Sequence, residues 1–349
     1  MRLERRAETP AVLSVAVPVL ALLAAFVIGA LLIVISGASV PAAYAAMVEG
    51  AFGSRFALTE TLTRAAPLML TGLAAAVAFR ARLWNIGAEG QLYGGALAAV
   101  WIGTAPLGIP DALLLPAVIL AGAVAGGLLL LGPAVLKTRF GVDEVVTTLL
   151  LNFIVLLFVS MMIEGPMKDP MAMGWPQSET LPMAAELPRL IPRTRLHAGL
   201  IMALVAAGLI YVMMTRTVLG FEMRAVGASP RAARFAGMGV GRVMLLVALI
   251  SGGLAGLAGV SEVAGRTGYL TLDMSPGYGT GGVVVAMLAQ LHPLGVVLGA
   301  LMVASIFVGA DAMSRAVGVP TYIADVLVAV SLLCMLTAML FARYRLRRG

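Results

Sequence analysis

The chain has 349 residues, 61% of them hydrophobic and only 12% charged, with a net charge of +7. Soluble domains carry about 25% charged residues, so these proportions and a mean hydropathy of +1.01 exclude a water-soluble enzyme. The positive charge sits at the ends of apolar runs, which excludes a nucleic-acid-binding patch, and the single cysteine, Cys334, excludes an internal disulfide or a thiolate metal cluster.

Several apolar runs are long enough to cross a bilayer as helices and too continuous for barrel strands of alternating polarity. The predicted fold class is therefore all-α: a polytopic membrane protein of about 10 transmembrane helices in a single transmembrane domain over residues 1–349. A basic start, Met1 to Arg6, precedes the first predicted span, Ala11 to Ser36. That run is too long for the apolar region of a signal peptide and reads as an uncleaved span. Val40 to Thr59 is less apolar and reads as an outside connection. The second span is Glu60 to Phe79, followed by Arg80 and Arg82.

Leu83 to Ala99 reads LWNIGAEGQLYGGALAA. Asn85, Glu89 and Gln91 lie there among Gly87, Gly90, Gly94 and Gly95. A polar, glycine-rich entry into a span predicts a broken helix, which is tolerated where backbone lines a cavity or packs on protein. The third span is then Ile86 to Gly103, and the fourth Ala112 to Leu136. Asp143 and Glu144 open the fifth, Val145 to Met162, where acids suit a helix N-terminus; Asn152 lies inside it. Residues 164–197 hold six prolines and read as an extracytoplasmic loop. The sixth span is Ala198 to Thr215.

Residues 216–242 form the one long basic interruption. Arg216, Arg224, Arg231, Arg234 and Arg242 crowd there with one acid, Glu222. Ser229 and Pro230 are a helix start, because Ser caps free N–H groups and Pro fits the first helical position. Arg231 to Met238 reads as a helix of about 12 Å, stopped by Gly237, Gly239 and Gly241. It is too short to span and suits a surface helix that docks on something, with Ala232, Ala233 and Ala236 as a close-packing side. A plain basic loop is the alternative.

The seventh span, Val243 to Val260, carries GGLAGLAG at Gly252 to Gly259, a small-residue spacing for tight helix contact. Ser261 to Tyr278 is polar and glycine-rich. A short eighth span, Gly279 to Leu291, a ninth, Leu294 to Asp311, and a tenth, Tyr322 to Phe341, lead to Arg343, Arg345, Arg347 and Arg348. In this arrangement about two thirds of the 24 Lys and Arg residues lie inside, which predicts both termini in the cytoplasm.

A weak internal echo links residues of about 60–163 to about 243–341. Gly72-Leu-Ala and Gly253-Leu-Ala each precede a polar break, at Asn85 to Gly95 and at Asp273 to Gly282; Pro106-Leu-Gly and Pro293-Leu-Gly follow. The offset covers an odd number of spans, so the halves would be inverted. Inverted repeats with paired broken helices mark transporters, and the breaks mark the path. The pathway candidates are therefore Asn85, Glu89, Gln91, Asn152, Ser275 and Tyr278. For Asn85, Gln91 and Asn152 the competing reading is polar glue between helices. Glu89 must face protein or water, since a carboxylate at a helix centre costs about 2.5–3.5 kcal/mol, and an arginine partner such as Arg82 competes with substrate contact.

Taken together, these motifs resemble the inner-membrane permease subunits of bacterial ABC importers for branched-chain amino acids, simple sugars and nucleosides. Arg224-Ala-Val-Gly-Ala-Ser-Pro, Ala232-Ala and Ala236-Gly-Met are similar to that family's coupling loop, and Asn85-Ile-Gly-Ala-Glu-Gly-Gln to a second family motif. Arg139-Phe-Gly-Val-Asp-Glu, Gly165-Pro-Met-Lys-Asp-Pro and Pro176-Gln-Ser-Glu resemble the nucleoside-type members that work with lipoproteins of the basic membrane protein family. The resemblance implies a type II importer-like fold in the bacterial inner membrane. It implies a non-catalytic permease subunit forming half of a pathway for a small polar solute, a nucleoside first and a simple sugar as the alternative. A secondary transporter is the more distant rival. The implied partners are a second permease in a heterodimer, a cytosolic ATPase, an extracytoplasmic substrate-binding lipoprotein and membrane lipid, with no nucleic acid. No cofactor is implied in this chain; ATP and magnesium would sit on the ATPase. The residues implied to couple to that ATPase are Arg224, Gly227, Ser229, Pro230, Arg231, Ala233, Arg234 and Gly237.

Overall fold

A computed structural model describes residues 2–5, 11–318, scattered helical positions between 326 and 338, and 344–347. The helices are α1 (Ala11–Ile35), α2 (Val40–Phe52), α3 (Arg55–Arg80), α4 (Ala88–Thr104), α5 (Asp111–Val135), α6 (Glu144–Glu164), α7 (Gly199–Arg216), α8 (Val218–Ala228), α9 (Pro230–Phe235), α10 (Val240–Glu262), α11 (Tyr278–Leu288) and α12 (Pro293–Val317). Single π-helical turns extend α5 to Phe140 and α10 to Thr267. Arg2–Arg5 and Tyr344–Arg347 pair as two short antiparallel strands.

Among the described residues, six helices are long and apolar enough to cross a membrane: α3, α5, α6, α7, α10 and α12. Leu23–Ile35 of α1 and Tyr278–Leu288 of α11 are shorter apolar segments. The protein is thus a multi-pass helical membrane protein. The predicted tenth span, 322–341, falls mostly outside the described residues. The basic stretch departs from expectation, because it folds as two helices, α8 and α9. The second of these is six residues, about 9 Å, and ends at Phe235 rather than Met238.

The chain divides into two compact units, Leu62–Leu301 and Met1–Thr61 with Met302–Gly349. The larger is centred on α4, α5 and α10. Their contact is nearly backbone on backbone. A Cβ added at Gly95 would lie 2.5 Å from Cα of Gly256, and one at Gly126 would lie 2.7 Å from the same atom. Apolar side chains gain nothing by facing one another rather than lipid, so close approach through small residues is what holds such helices together. α5, α6 and α7 present their other faces outward; only about a third or less of each apolar window is buried, against 89% for α3. In the smaller unit α2 packs on the end of α12, where a Cβ at Gly309 would press on Met47. There the Phe26 and Tyr44 rings also meet edge to face, 5.2 Å apart.

Candidate functional site

The chain between α3 and α4 is non-helical over 81–87, and its buried polar backbone groups need partners. α6 supplies them from one stripe at i, i+4 and i+8. Glu144 accepts from the Trp84 N–H at 3.3 Å and is ion-paired with Lys137, which also donates to the Arg82 carbonyl at 2.9 Å. Thr148 accepts from Ile86 N–H at 3.3 Å. Asn152 accepts from Gly90 N–H at 2.7 Å and donates to the Ile86 carbonyl at 3.0 Å. The break is therefore held to α6 by three side chains. Asn152 stood out in the sequence as a polar residue inside a span and Glu144 as an acid at a helix start; Thr148 did not, and the four-residue spacing of Glu144, Thr148 and Asn152 was the signal that joins them.

Asn85 and Gln91 are fully buried and bonded to each other twice, at 2.9 and 2.8 Å. Asn85 also donates to Ser251 at 3.1 Å, and Ser251 donates to the Ala74 carbonyl at 2.8 Å. These groups knot α3, the break, α4 and α10 together. Tyr278 is likewise fully buried; its carbonyl accepts from Thr71 at 2.8 Å.

Glu89 and Ser275 stand apart from that interior. A second break, 268–277, leads into α11 through left-handed Gly277. The starts of α4 and α11 meet face to face: the Glu89 carboxylate accepts from Gly279 N–H at 2.5 Å and is hydrogen-bonded by Ser275. A carboxylate on the first turn of a helix answers both its unpaired N–H groups and its dipole. Tyr93, one turn further along α4, donates to the Leu272 carbonyl at 2.5 Å and accepts from Ser275 N–H at 3.4 Å. A Cβ at Gly279 would lie 2.6 Å from Cα of Glu89, so only glycine permits this closure. Glu89 therefore has α11 as its partner and not Arg82. Tyr93 carried no expectation from the sequence.

After α8, Ser229 caps Ala232 N–H at 3.3 Å and Pro230 opens α9, as expected. Gly237 alone supplies the left-handed stop; Gly241 already lies in α10. Arg231, Arg234 and Phe235 are exposed, Phe235 almost completely at 96%. Ala233 is buried within this chain, whereas Ala232 and Ala236, expected on the same side, are exposed. Gly227 has a different reason to be glycine, since a Cβ there would run into the Arg80 carbonyl. Arg224 donates to the Met214 carbonyl, tying α8 to the end of α7, and Arg80 donates to the Leu291 carbonyl at 3.0 Å, beyond α11.

The model of the branched-chain amino acid transport system permease component family matches residues 57–336. The chain belongs to that family. It is 38% identical to a glucose ABC transporter permease of Haloferax volcanii, over the whole of this chain and 95% of the relative. It is also 38% identical to a guanosine ABC transporter permease of Bacillus subtilis, over 91% of each chain; a second guanosine permease of that organism is 29% identical over 69% of this chain. A nucleoside ABC transporter permease of Lactococcus lactis is 32% identical over 90% of this chain and 88% of its own. No solved structure matches.

In this permease the proline-rich segment 164–197 is not a loose spacer. Ser178 N–H donates to the Leu270 carbonyl at 3.0 Å and its hydroxyl accepts from Leu270 N–H at 2.8 Å. Leu181 and Leu187 N–H donate to Gly268 and Ala264 carbonyls, each at 2.7 Å. His197 is buried beside the π-helical turn of α10, and its Nδ1 accepts from Gly199 N–H at 3.1 Å. Burial first, and the charge of Arg266 second, lower its pKa from 6.5 to about 4.

Proposed function

We propose that this chain is the non-catalytic permease subunit of an ATP-driven importer, forming half of a path for a neutral nucleoside. The observation that carries this reading is near full-length similarity to guanosine and nucleoside permeases, set beside two broken helices whose entries close on each other at Glu89 and Gly279. In this reading the contact between α4 and α11 is the closed gate, and Glu89 and Ser275 are the pathway residues that a passing solute meets. Asn85, Gln91, Asn152 and Tyr278 shape the path from behind. The halves 60–163 and 243–341 act as inverted repeats: in each, a long helix, a break and a short helix lead through a proline-bearing turn to another long helix.

The exposed Arg231, Arg234 and Phe235 on α9 dock into a cytosolic ATPase, which holds the ATP and magnesium. Both termini lie on that side of the inner membrane, and segment 164–197 lies outside, where a substrate-binding lipoprotein delivers the solute. The two guanosine permeases of one organism support pairing with a second, different permease. The glucose permease relative, equal in identity, supports one competing reading, a simple sugar. Reconstituted with both permeases, the ATPase and the binding protein, the complex should take up inosine with ATP and an uncoupler present. Glucose uptake without inosine uptake would leave the importer and overturn the substrate.

A further inference from the structure

A cavity of about 490 Å³ opens between segment 164–197 and the break before α11. Its size falls within the ~300–1,000 Å³ of small-molecule sites. Trp175, 60% exposed, and the half-buried Tyr269 give it aromatic walls; Asp273 and Arg195 are exposed at its lining, and Arg266 is fixed there by an ion pair with Glu262 at 3.0 Å. The walls are preformed. The Trp175 turn is closed by Asp169 N–H donating to the Gln177 carbonyl at 3.0 Å, and the loop is stitched to the break at Ser178 and Leu181. The floor is the buried Met274, part of the same short stretch that Tyr93 holds through Leu272 and Ser275. The cavity thus shares its lining with the stretch whose next residue, Ser275, is hydrogen-bonded to Glu89.

We propose that this cavity is a waiting site for a neutral nucleoside on the permease chain itself, occupied before the Glu89–Gly279 closure opens. The proposal rests on the nucleoside reading above. An exposed indole offers a flat face for a base, and base–aromatic stacking tolerates any base because each has a π-face. The Asp273 carboxylate can accept two O–H bonds from neighbouring ring hydroxyls of a ribose. Arg195 and Arg266 bring N–H donors suited to base carbonyls and ring nitrogens. A hexose supplies the hydroxyls and lacks the flat π-face. The charges also speak against an acidic protein surface as occupant: Arg266 is ion-paired with Glu262 and the Asp273 carboxylate faces the same space, so no field of a single sign is present.

The test uses the assembled permease pair with its ATPase in lipid nanodiscs, without the binding protein and without ATP, titrated with radiolabelled inosine. Saturable binding is expected, weakened at least about tenfold by Trp175→Ala and by Asp273→Asn, and not displaced by glucose. Both variants should still bind the binding protein as the parent does. If the parent complex transports inosine when the binding protein is added yet shows no saturable binding alone, the waiting site is wrong and the nucleoside reading stands. If glucose binds instead and the same variants lose it, the substrate reading fails and the nucleoside proposal with it. Normal inosine binding in both variants together with loss of the binding protein would make this face a protein-docking surface and overturn the proposal.

Discussion

Asn152 illustrates why a polar residue in an apolar helix need not touch the solute. Its amide satisfies both Gly90 N–H and the Ile86 carbonyl. Asn152→Leu keeps the branched shape and the number of side-chain heavy atoms and leaves both groups buried without partners, each worth about 1–3 kcal/mol. The expected outcome is a lower melting temperature of the detergent-purified permease complex; an unchanged melting temperature would mean that the break is held elsewhere. His197 offers a pH test. Its pKa is lowered to about 4 on folding, so the unfolded chain takes up a proton that the folded chain refuses. Stability from this group is complete above about pH 6.5 and falls as pH drops from 6.5 toward 4, at up to roughly 1.4 kcal/mol per unit. The melting temperature should fall over that window in the parent and stay flatter in His197→Gln. At this scale the sequence showed which residues were polar and buried. It did not show which polar atoms met, because Ser251, the second partner of Asn85, and the partners of Asn152 and Glu89 lie far along the chain.

Element boundaries were mostly legible, since apolar runs, Ser229-Pro230 and the glycines mark helix ends directly. The orientation of α9 was not. A six-residue helix has too few positions for periodicity to say which alanine turns inward, and Ala233 does. Ala233→Trp should therefore damage the permease itself, lowering its yield in the membrane. Arg231→Glu with Arg234→Glu changes only exposed side chains and reverses the charge offered to a partner. This double variant should reach the membrane at the parent level and fail to retain the ATPase on purification. Retention with normal hydrolysis would make α9 a plain surface turn.

The whole-molecule prediction concerns sidedness. Met173 in segment 164–197 is fully exposed, as is nearly all of Phe235 on α9. With Cys334 replaced by serine, a membrane-impermeant thiol reagent added to intact spheroplasts should label Met173→Cys and spare Phe235→Cys. The reverse pattern would invert the topology. Ser178 would be a poor reporter, because it is buried and bonded to Leu270 whichever side the segment occupies. The charge distribution along the sequence bears on sidedness because it acts through the ends of spans. It says little about the count of spans, since α4 and α11 are short and the final stretch is only partly described.

The glycine seam among α4, α5 and α10 bears on what can move. With Gly95 and Gly126 each set against Gly256, there is no side-chain layer to act as a bearing. A slip of one residue, about 1.5 Å along a helix, would drive neighbouring alanine or leucine side chains into facing carbonyls. These three helices must therefore travel as one block, like a welded frame. α11 is mounted differently. It is eleven residues long, enters through left-handed Gly277 and leaves toward left-handed Gln290 and Leu291, so its ends resemble the pins of a small flap. Amide hydrogen exchange should register the contrast, with the N–H groups of α11 exchanging well before those of α10 in the resting complex. Equal protection of the two would mean that flap and frame open together.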